Sequence, residues 1–281
     1  MSGVVAVRNV KFDLLTPQIE KASWAIKDYT AIFVFDDGEI GSGTFVNVCG
    51  FTGVLTAHHV AQHLFGFDEF SWCVADYAHR LTVPSDLLEH VPIGPVPKNA
   101  APEVGPDLSF LMIRDPTLVE ELQREKLFYH MDLANLSSLR LPLSPKIWAV
   151  AGGLGDSVER IAENYKGGPL SKIGNFVGTG IFPDDNIQAD FDYIKLMVPA
   201  GEFGFPYHFG GMSGGGFWLI PLEIDASGDL STIGHRPPLL AGVEFAQSVA
   251  ANCQRILTGH ASDSIYTRVR QILEEKRRSG Q

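Results

Sequence analysis

Apolar residues in the first half of the chain come in short runs broken by Gly, Asp and Pro, the pattern of strands joined by turns. Ala31 to Phe35 (AIFVF) is one such run, and Asp36-Asp37-Gly38 after it reads as a turn. Gly41 to Val48 is a second strand, Gly53 to Thr56 a third and Ser71 to Val74 a fourth. Leu108 to Ile113 (LSFLMI) is another strong run. Val91 to Pro106, rich in Pro and Gly, is expected to be a loop. Asp115-Pro116 then opens a helix, with an acidic N-cap, Pro at the first helical position, and Leu118, Val119 and Leu122 on one face. The join between two halves is placed at about residues 115–140.

The second half repeats the style. Lys146 to Ala151, Phe191 to Val198, Gly216 to Ile220 and Leu239 to Phe245 read as strands. The chain closes differently: from Asp263 to Arg277, Ile265, Val269, Ile272 and Leu273 fall on one face of a helix. Many short strands, few helices and a terminal helix predict an all-β, mostly antiparallel protein.

Composition narrows the function. The chain has 281 residues, 45% apolar and 20% charged, which suits a folded globular protein. Its net charge is −11, so counterion release on nucleic acid offers it nothing and no nucleic-acid partner is expected. The one basic cluster, Lys276-Arg277-Arg278, reads as a solvated helix end. No apolar run reaches the roughly 20 residues that a membrane span needs, and the N-terminus lacks the pattern of a secretory leader. Three cysteines (Cys49, Cys73 and Cys253) without CxxC spacing argue for reduced thiols and a cytoplasmic setting, with Cys49 and Cys253 expected as buried packing residues.

Three local patterns carry chemistry. The first is Leu55-Thr56-Ala57-His58-His59-Val60, at a strand end. The second is Asp107 at the start of the apolar strand Leu108-Ser109-Phe110-Leu111. The third is Ser213 in Gly211-Met212-Ser213-Gly214-Gly215-Gly216. Singly each is weak; in the order His, Asp, Ser they are specific. A hydroxyl nucleophile needs a base, the base needs an acid to fix its tautomer, and the oxyanion needs backbone N–H donors. Glycines around the serine let the backbone aim those donors.

On these motifs the chain resembles the chymotrypsin-fold (trypsin-like) serine proteases, nearer their disulfide-poor bacterial branch. The resemblance covers roughly residues 28–275. It implies His59, Asp107 and Ser213 as the catalytic residues, with Gly211 and Ser213 as oxyanion donors. It implies two antiparallel six-stranded β-barrels: residues 1–27 as an N-terminal extension, 28–125 as the barrel with His59 and Asp107, 126–258 as the barrel with Ser213, and 259–281 as a C-terminal helix. The family's acid before the serine is here Met212, so ordering of that loop by a cleaved N-terminus is not expected. Tyr207, His208 and Glu244 are expected to line the substrate's P1 pocket. Glu244 facing that pocket would select Arg or Lys, His208 would select an acid, and Glu244 turned away would do neither.

The partners implied are a protein or peptide substrate and, left open, a regulatory protein; no membrane, cofactor or metal is called for. His59 and His63 lie four apart, but HExxH is absent and no acidic or cysteine-rich run accompanies them. An α/β-hydrolase would need the order Ser, Asp, His and a helix after the serine, whereas FWLIP follows here. A catalytically silent, protease-shaped binding module is the alternative from a different class.

Overall fold

The structure is a computed structural model that describes residues 22–74, 79–94, 105–140, 146–154, 174–178, 181–188, 190–201, 206–221, 237–248 and 253–280. Helix α1 (22–29) leads into β1 (Thr30–Val34), a run of five buried residues. β2 (Ile40–Val48) pairs with it antiparallel, with Ile32 opposite Ser42. β3 (Phe51–Thr56) returns along β2 through a two-residue turn, Cys49-Gly50, whose φ angles are 53° and 84°. Positive φ at both central residues is the hairpin turn that matches strand twist, and glycine supplies the second at no steric cost. Helix α2 (His58–Leu64) follows β3, and then come β4 (Glu69–Cys73), β5 (Arg80–Pro84), β6 (Leu88–Gly94) and β7 (Leu108–Ile113). The strand order is β5-β4-β1-β2-β3-β7-β6, with β8 (Tyr129–His130) added parallel to β2.

Helices α3 (Pro116–Leu122) and α4 (Leu133–Arg140) bridge the halves. Asp115 caps α3 as expected, accepting from the Thr117 N–H at 2.9 Å. The second sheet is built from β9 (Lys146–Gly152), β10 (Gly174–Gly178), β11 (Ile181–Gln188), β12 (Phe191–Pro199), β13 (Gly216–Pro221), β14 (Leu239–Gln247) and β15 (Gln254–His260). Its order is β10-β9-β13-β14-β15-β12-β11, antiparallel throughout. The architecture is two curled antiparallel sheets with a terminal helix, carrying eight and seven strands among the described residues.

An aromatic cluster fills the first sheet. Phe33, Phe45, Phe70 and Trp72 are fully or almost fully buried, and Trp72 meets Phe70 edge-on at 5.1 Å between centroids. Trp218 of β13 crosses to the other half, stacked 5.6 Å from Tyr29 and edge-on to Tyr129 at 5.4 Å. Burial of such rings is the main favourable term for joining the sheets.

The terminal helix keeps its expected face: Ile265, Val269 and Leu273 are fully buried and Ile272 is partly so. It begins as a π-helical turn, Asp263–Arg268, and continues as α5 (Val269–Ser279). Asp192 of β12 caps its start, accepting from the Ser264 N–H and Oγ at 2.6 Å each and from the Asp263 N–H at 3.0 Å. At its other end Lys276 pairs with Glu89 of β6, which also takes Arg114 at 2.8 Å. Lys276 is therefore tied to the first sheet rather than freely solvated.

Two further expectations are corrected. The start of the supposed loop, Val91–Gly94, belongs to strand β6 (Leu88–Gly94), paired with β7; its Pro92 and Gly94 sit at a register shift on an edge strand, where a missing N–H is tolerated. Residues 95–104 lie outside the described residues, as do 1–21 of the expected N-terminal extension. Cys253 is exposed rather than buried, at a left-handed turn (φ 57°) just before β15, while Cys49 is half-buried.

Tyr266 ties the terminal helix to both halves, its hydroxyl donating to the Leu240 carbonyl at 2.9 Å and reaching the Tyr129 hydroxyl at 3.3 Å. Tyr266→Phe strands that buried carbonyl and is expected to lower stability by about 1–2 kcal/mol in urea denaturation. An unchanged midpoint would show that the hydroxyl does not hold the helix down.

Candidate active site

Thr56 ends β3, Ala57 is extended (φ −66°, ψ 146°), and α2 begins at His58. Consecutive helical residues point about 100° apart, so His58 and His59 part company. His58 turns into the core, where its Nδ1 lies 2.8 Å from Ser109 Oγ; His90 Nε2 approaches the same oxygen at 2.9 Å. Burial holds His58 below its ordinary pKa and His90 down at about 4, so this pair stays neutral. His59 turns toward Asp107, at the head of β7.

The β3–β7 register sets Thr56 opposite Ser109, which brings Asp107 beside the first turn of α2. Asp107 is wholly buried. One carboxylate oxygen accepts the His59 backbone N–H at 2.9 Å, and the other lies 2.6 Å from His59 Nδ1. That partner places the ring proton on Nδ1 and leaves Nε2 as an acceptor. The His59 side chain is 42% exposed, so its outer edge faces solvent.

Two buried groups of the second sheet stand behind this pair. The Asp107 N–H donates to His260 Nε2 at 3.0 Å, which leaves the His260 proton on Nδ1. Phe191, Tyr193 and Phe245 pack their rings around His260, and desolvation holds it at about 3. Glu244 of β14 is 1% exposed. Burial, and secondarily the Asp107 charge, push its carboxyl up to about 8, so it is neutral near pH 7. Glu244 Oε2 and His260 Nδ1 have no hydrogen-bond partner among the described residues.

The serine loop is fixed largely by its backbone. Met212 N–H donates to the Phe209 carbonyl at 3.1 Å, closing a turn whose third residue, Gly211, has φ 89°. That is a type II turn, which glycine permits. Gly215 N–H donates to Met212 O at 2.7 Å, Gly214 N–H to Glu244 O at 2.7 Å, and Glu244 N–H to Gly215 O at 2.8 Å. From the first sheet, Ser42 N–H donates to Ser213 O at 2.9 Å, and Ser42 Oγ donates to Gly211 O at 2.6 Å while accepting from Gly153 N–H at 2.8 Å. Gly214, at φ 91°, lies so close to Ser42 O and Thr56 Oγ1 that any side chain there would collide with them. Ser213 is thus seated against the strand ends from which His59 springs. Met212 is fully buried in an apolar cluster with Phe209, Phe217, Val198 and Leu257. Apolar burial, not an ion pair, is what holds the Met212 side chain.

The residues expected at the P1 pocket separate. Tyr207 and His208 are exposed on the approach to the serine loop, whereas Glu244 is turned inward to Asp107. Arg255 of β15 organises the first two: its guanidinium donates to Tyr207 O at 2.7 Å and Ser248 O at 2.6 Å, meets His208 Nδ1 at 2.9 Å, and stacks over the Tyr207 ring. Sequence reasoning missed Arg255, His260 and Ser42. Only Ser42 left a local signal, as the polar residue of Gly41-Ser42-Gly43 before an apolar strand.

No family model and no curated protein matches the chain. Solved structures do. It is similar to a thermostable serine protease from an extremophilic microorganism, at 12% identity over 88% of this chain and 97% of that one, with a TM-score of 0.48. It is similar to the protease Anisep from Arthrobacter nicotinovorans, at 11% identity over 86% and 93%, with a TM-score of 0.44. It is similar to the HtrA-type protease AlgW with a tripeptide, at 16% identity over 89% of this chain, which spans 62% of that one, with a TM-score of 0.42.

The buried titratable groups set opposite pH dependences. Glu244 holds, in the folded chain, a proton that the unfolded chain releases above about 4.5. It therefore weakens the fold progressively as pH rises from about 4.5 to about 8. Glu244→Gln keeps the shape without the titration, and is expected to be more stable than wild type by about 2–3 kcal/mol near pH 7 and equal to it in acid. The histidines act the other way: His90 and His260 stay neutral in the fold while the unfolded chain takes up protons below about 6.5. Stability thus falls as pH drops from about 6.5 toward 4. Urea denaturation across pH measures both limbs; an unaltered slope between pH 5 and 8 in Glu244→Gln would overturn the assignment.

Proposed function

We propose that the chain is a serine endopeptidase working through Ser213, His59 and Asp107. The observation that carries this reading is the double hydrogen bond of buried Asp107 to His59, at 2.9 and 2.6 Å; the glycine turns that hold Ser213, joined to β2 through Ser42, support it. His59 Nε2 takes the Ser213 proton as Oγ attacks a peptide carbonyl, and Asp107 stabilises the imidazolium that forms. The backbone N–H groups of Gly211 and Ser213 receive the developing oxyanion; the type II turn at Gly211 supports this, because its central peptide is held in one orientation. His59 then protonates the leaving amine, and water hydrolyses the acyl-enzyme with His59 again as base.

The same proposal extends to the P1 residue. Glu244 facing Asp107 supports neither Arg nor Lys selection. The buried cation Arg255, bonded to the Tyr207 carbonyl and to the His208 ring, supports an acidic P1 side chain. The three thiols, none in a disulfide, support a reducing compartment such as the cytoplasm.

A fluorophosphonate probe is expected to label the wild type and not Ser213→Ala. Failure to label a folded wild type would favour a silent binding module. Asp107→Asn is expected to cut kcat by about 10⁴-fold with little change in KM, since it loses the correct tautomer. In a peptide library varied at P1, Glu and Asp are expected to be cleaved best, and His208→Ala to narrow that preference; a preference for Arg or Lys would overturn the P1 assignment.

A further inference from the structure

The strongest cluster of metal-ligating side chains outside the site just described joins the β1–β2 hairpin to α2. Asp37, Glu39 and His63 each bring one donor atom to the same spot, all within 4.8 Å of one another. His63 Nε2 lies 3.0 Å from Asp37 Oδ2 and 3.5 Å from Glu39 Oε2. Donors bound to one cation at about 2.0–2.1 Å in tetrahedral geometry lie about 3.3 Å apart, close to these separations.

The direction of the imidazole is the second observation. Nε2 is shut off from solvent, yet it makes a hydrogen bond to neither carboxylate despite the short distances. A protonated imidazole forming a simple ion pair would aim its N–H at one oxygen. Here the ring nitrogen lies within reach of both carboxylates while bonding to neither, and the three donor atoms all fall within 4.8 Å of one another. The ring is held in that attitude by Phe35 at 4.6 Å and Phe67 at 5.1 Å, both edge-on. The hairpin positions the acids: Gly38 N–H donates to Phe35 O, Phe35 N–H to Glu39 O, and Glu39 N–H to Asp37 Oδ1, which leaves Oδ2 turned to His63. Among the described residues, His63 is the only basic group within ion-pair reach of Asp37 or Glu39. Asp36, Asp68 and Glu69, exposed around the neighbouring depression, add further negative charge.

We propose that Asp37, Glu39 and His63 bind a divalent transition-metal cation of the zinc class, which clamps the β1–β2 hairpin to the helix that carries His59. One imidazole with two carboxylates suits zinc, manganese or cobalt; calcium and magnesium prefer all-oxygen shells. The carboxylates are exposed, so water completes the shell and the ion exchanges with solvent. The site stands independently of the protease reading, because its ligands are none of the residues assigned to the reaction.

The test is titration of Zn²⁺ into the full chain by calorimetry, with thermal unfolding at matched Zn²⁺. Wild type is expected to bind one Zn²⁺ saturably and to melt higher with it, by mass action. Asp37→Asn and His63→Gln, which change an exposed hairpin acid and a half-exposed ring, are each expected to lose roughly tenfold or more in affinity and most of the thermal gain. Ca²⁺ at equal concentration is expected to do neither. Absence of saturable Zn²⁺ binding, binding of Ca²⁺ as tightly as Zn²⁺, or a Zn²⁺ isotherm unchanged in both variants would overturn the proposal. The last result would place the ion elsewhere, on thiols for example. Circular dichroism of each variant separates lost binding from lost folding.

Discussion

A carboxylate withdrawn from water costs several kcal/mol unless donors meet it. Asp107 is met, and much of the molecule is arranged around how. Both of its oxygens are taken by His59, through the backbone N–H and through the ring. Its own N–H reaches across to His260, on the other sheet. The strand that brings His260 also holds Glu244 in register, with Glu244 opposite Gly259 and Val243 opposite His260. The two sheets therefore meet at a charge, and the groups nearest to it are kept neutral by burial. Glu244, raised by burial, and His260, lowered by it, thus add no charge of their own beside Asp107 near pH 7.

Around that centre the backbone does most of the positioning. Ser42 reaches from the first sheet to Ser213, Gly211 and Gly153 of the second. Such a lattice is short and rigid, and it tolerates no side chain at Gly214. Long side chains spend rotamer entropy to hold one geometry, whereas a peptide group held at both ends has little left to lose.

The sequence made some of this legible and hid the rest for physical reasons. The strands at Thr30–Val34 and Leu108–Ile113 were readable because they are apolar and buried on both faces. β5 (RLTVP) and β15 (QRILTGH) were not, because they alternate exposed and buried residues and begin with polar ones. β6 was hidden by its proline, which only an edge position can accommodate. The resemblance singled out His59 over His58, and the helix sends the two rings to different places. The roles of His260 and Arg255 depend on β15 lying beside β14 and β12, a pairing that no local pattern records. The same holds for His63, whose acidic neighbours lie more than twenty residues earlier on a separate hairpin.

Met212 occupies the position next to the serine and is wholly buried among apolar side chains. An ion pair at such a position weakens as salt screens it and depends on the protonation of both partners. A methionine in an apolar pocket answers to other variables. Its hold on the loop is nearly indifferent to ionic strength and slackens on cooling, as hydrophobic stabilisation does. It also makes the thioether a reporter of loop order: the sulfur meets an oxidant only when the loop has opened, and the polar sulfoxide then no longer fits where it came from.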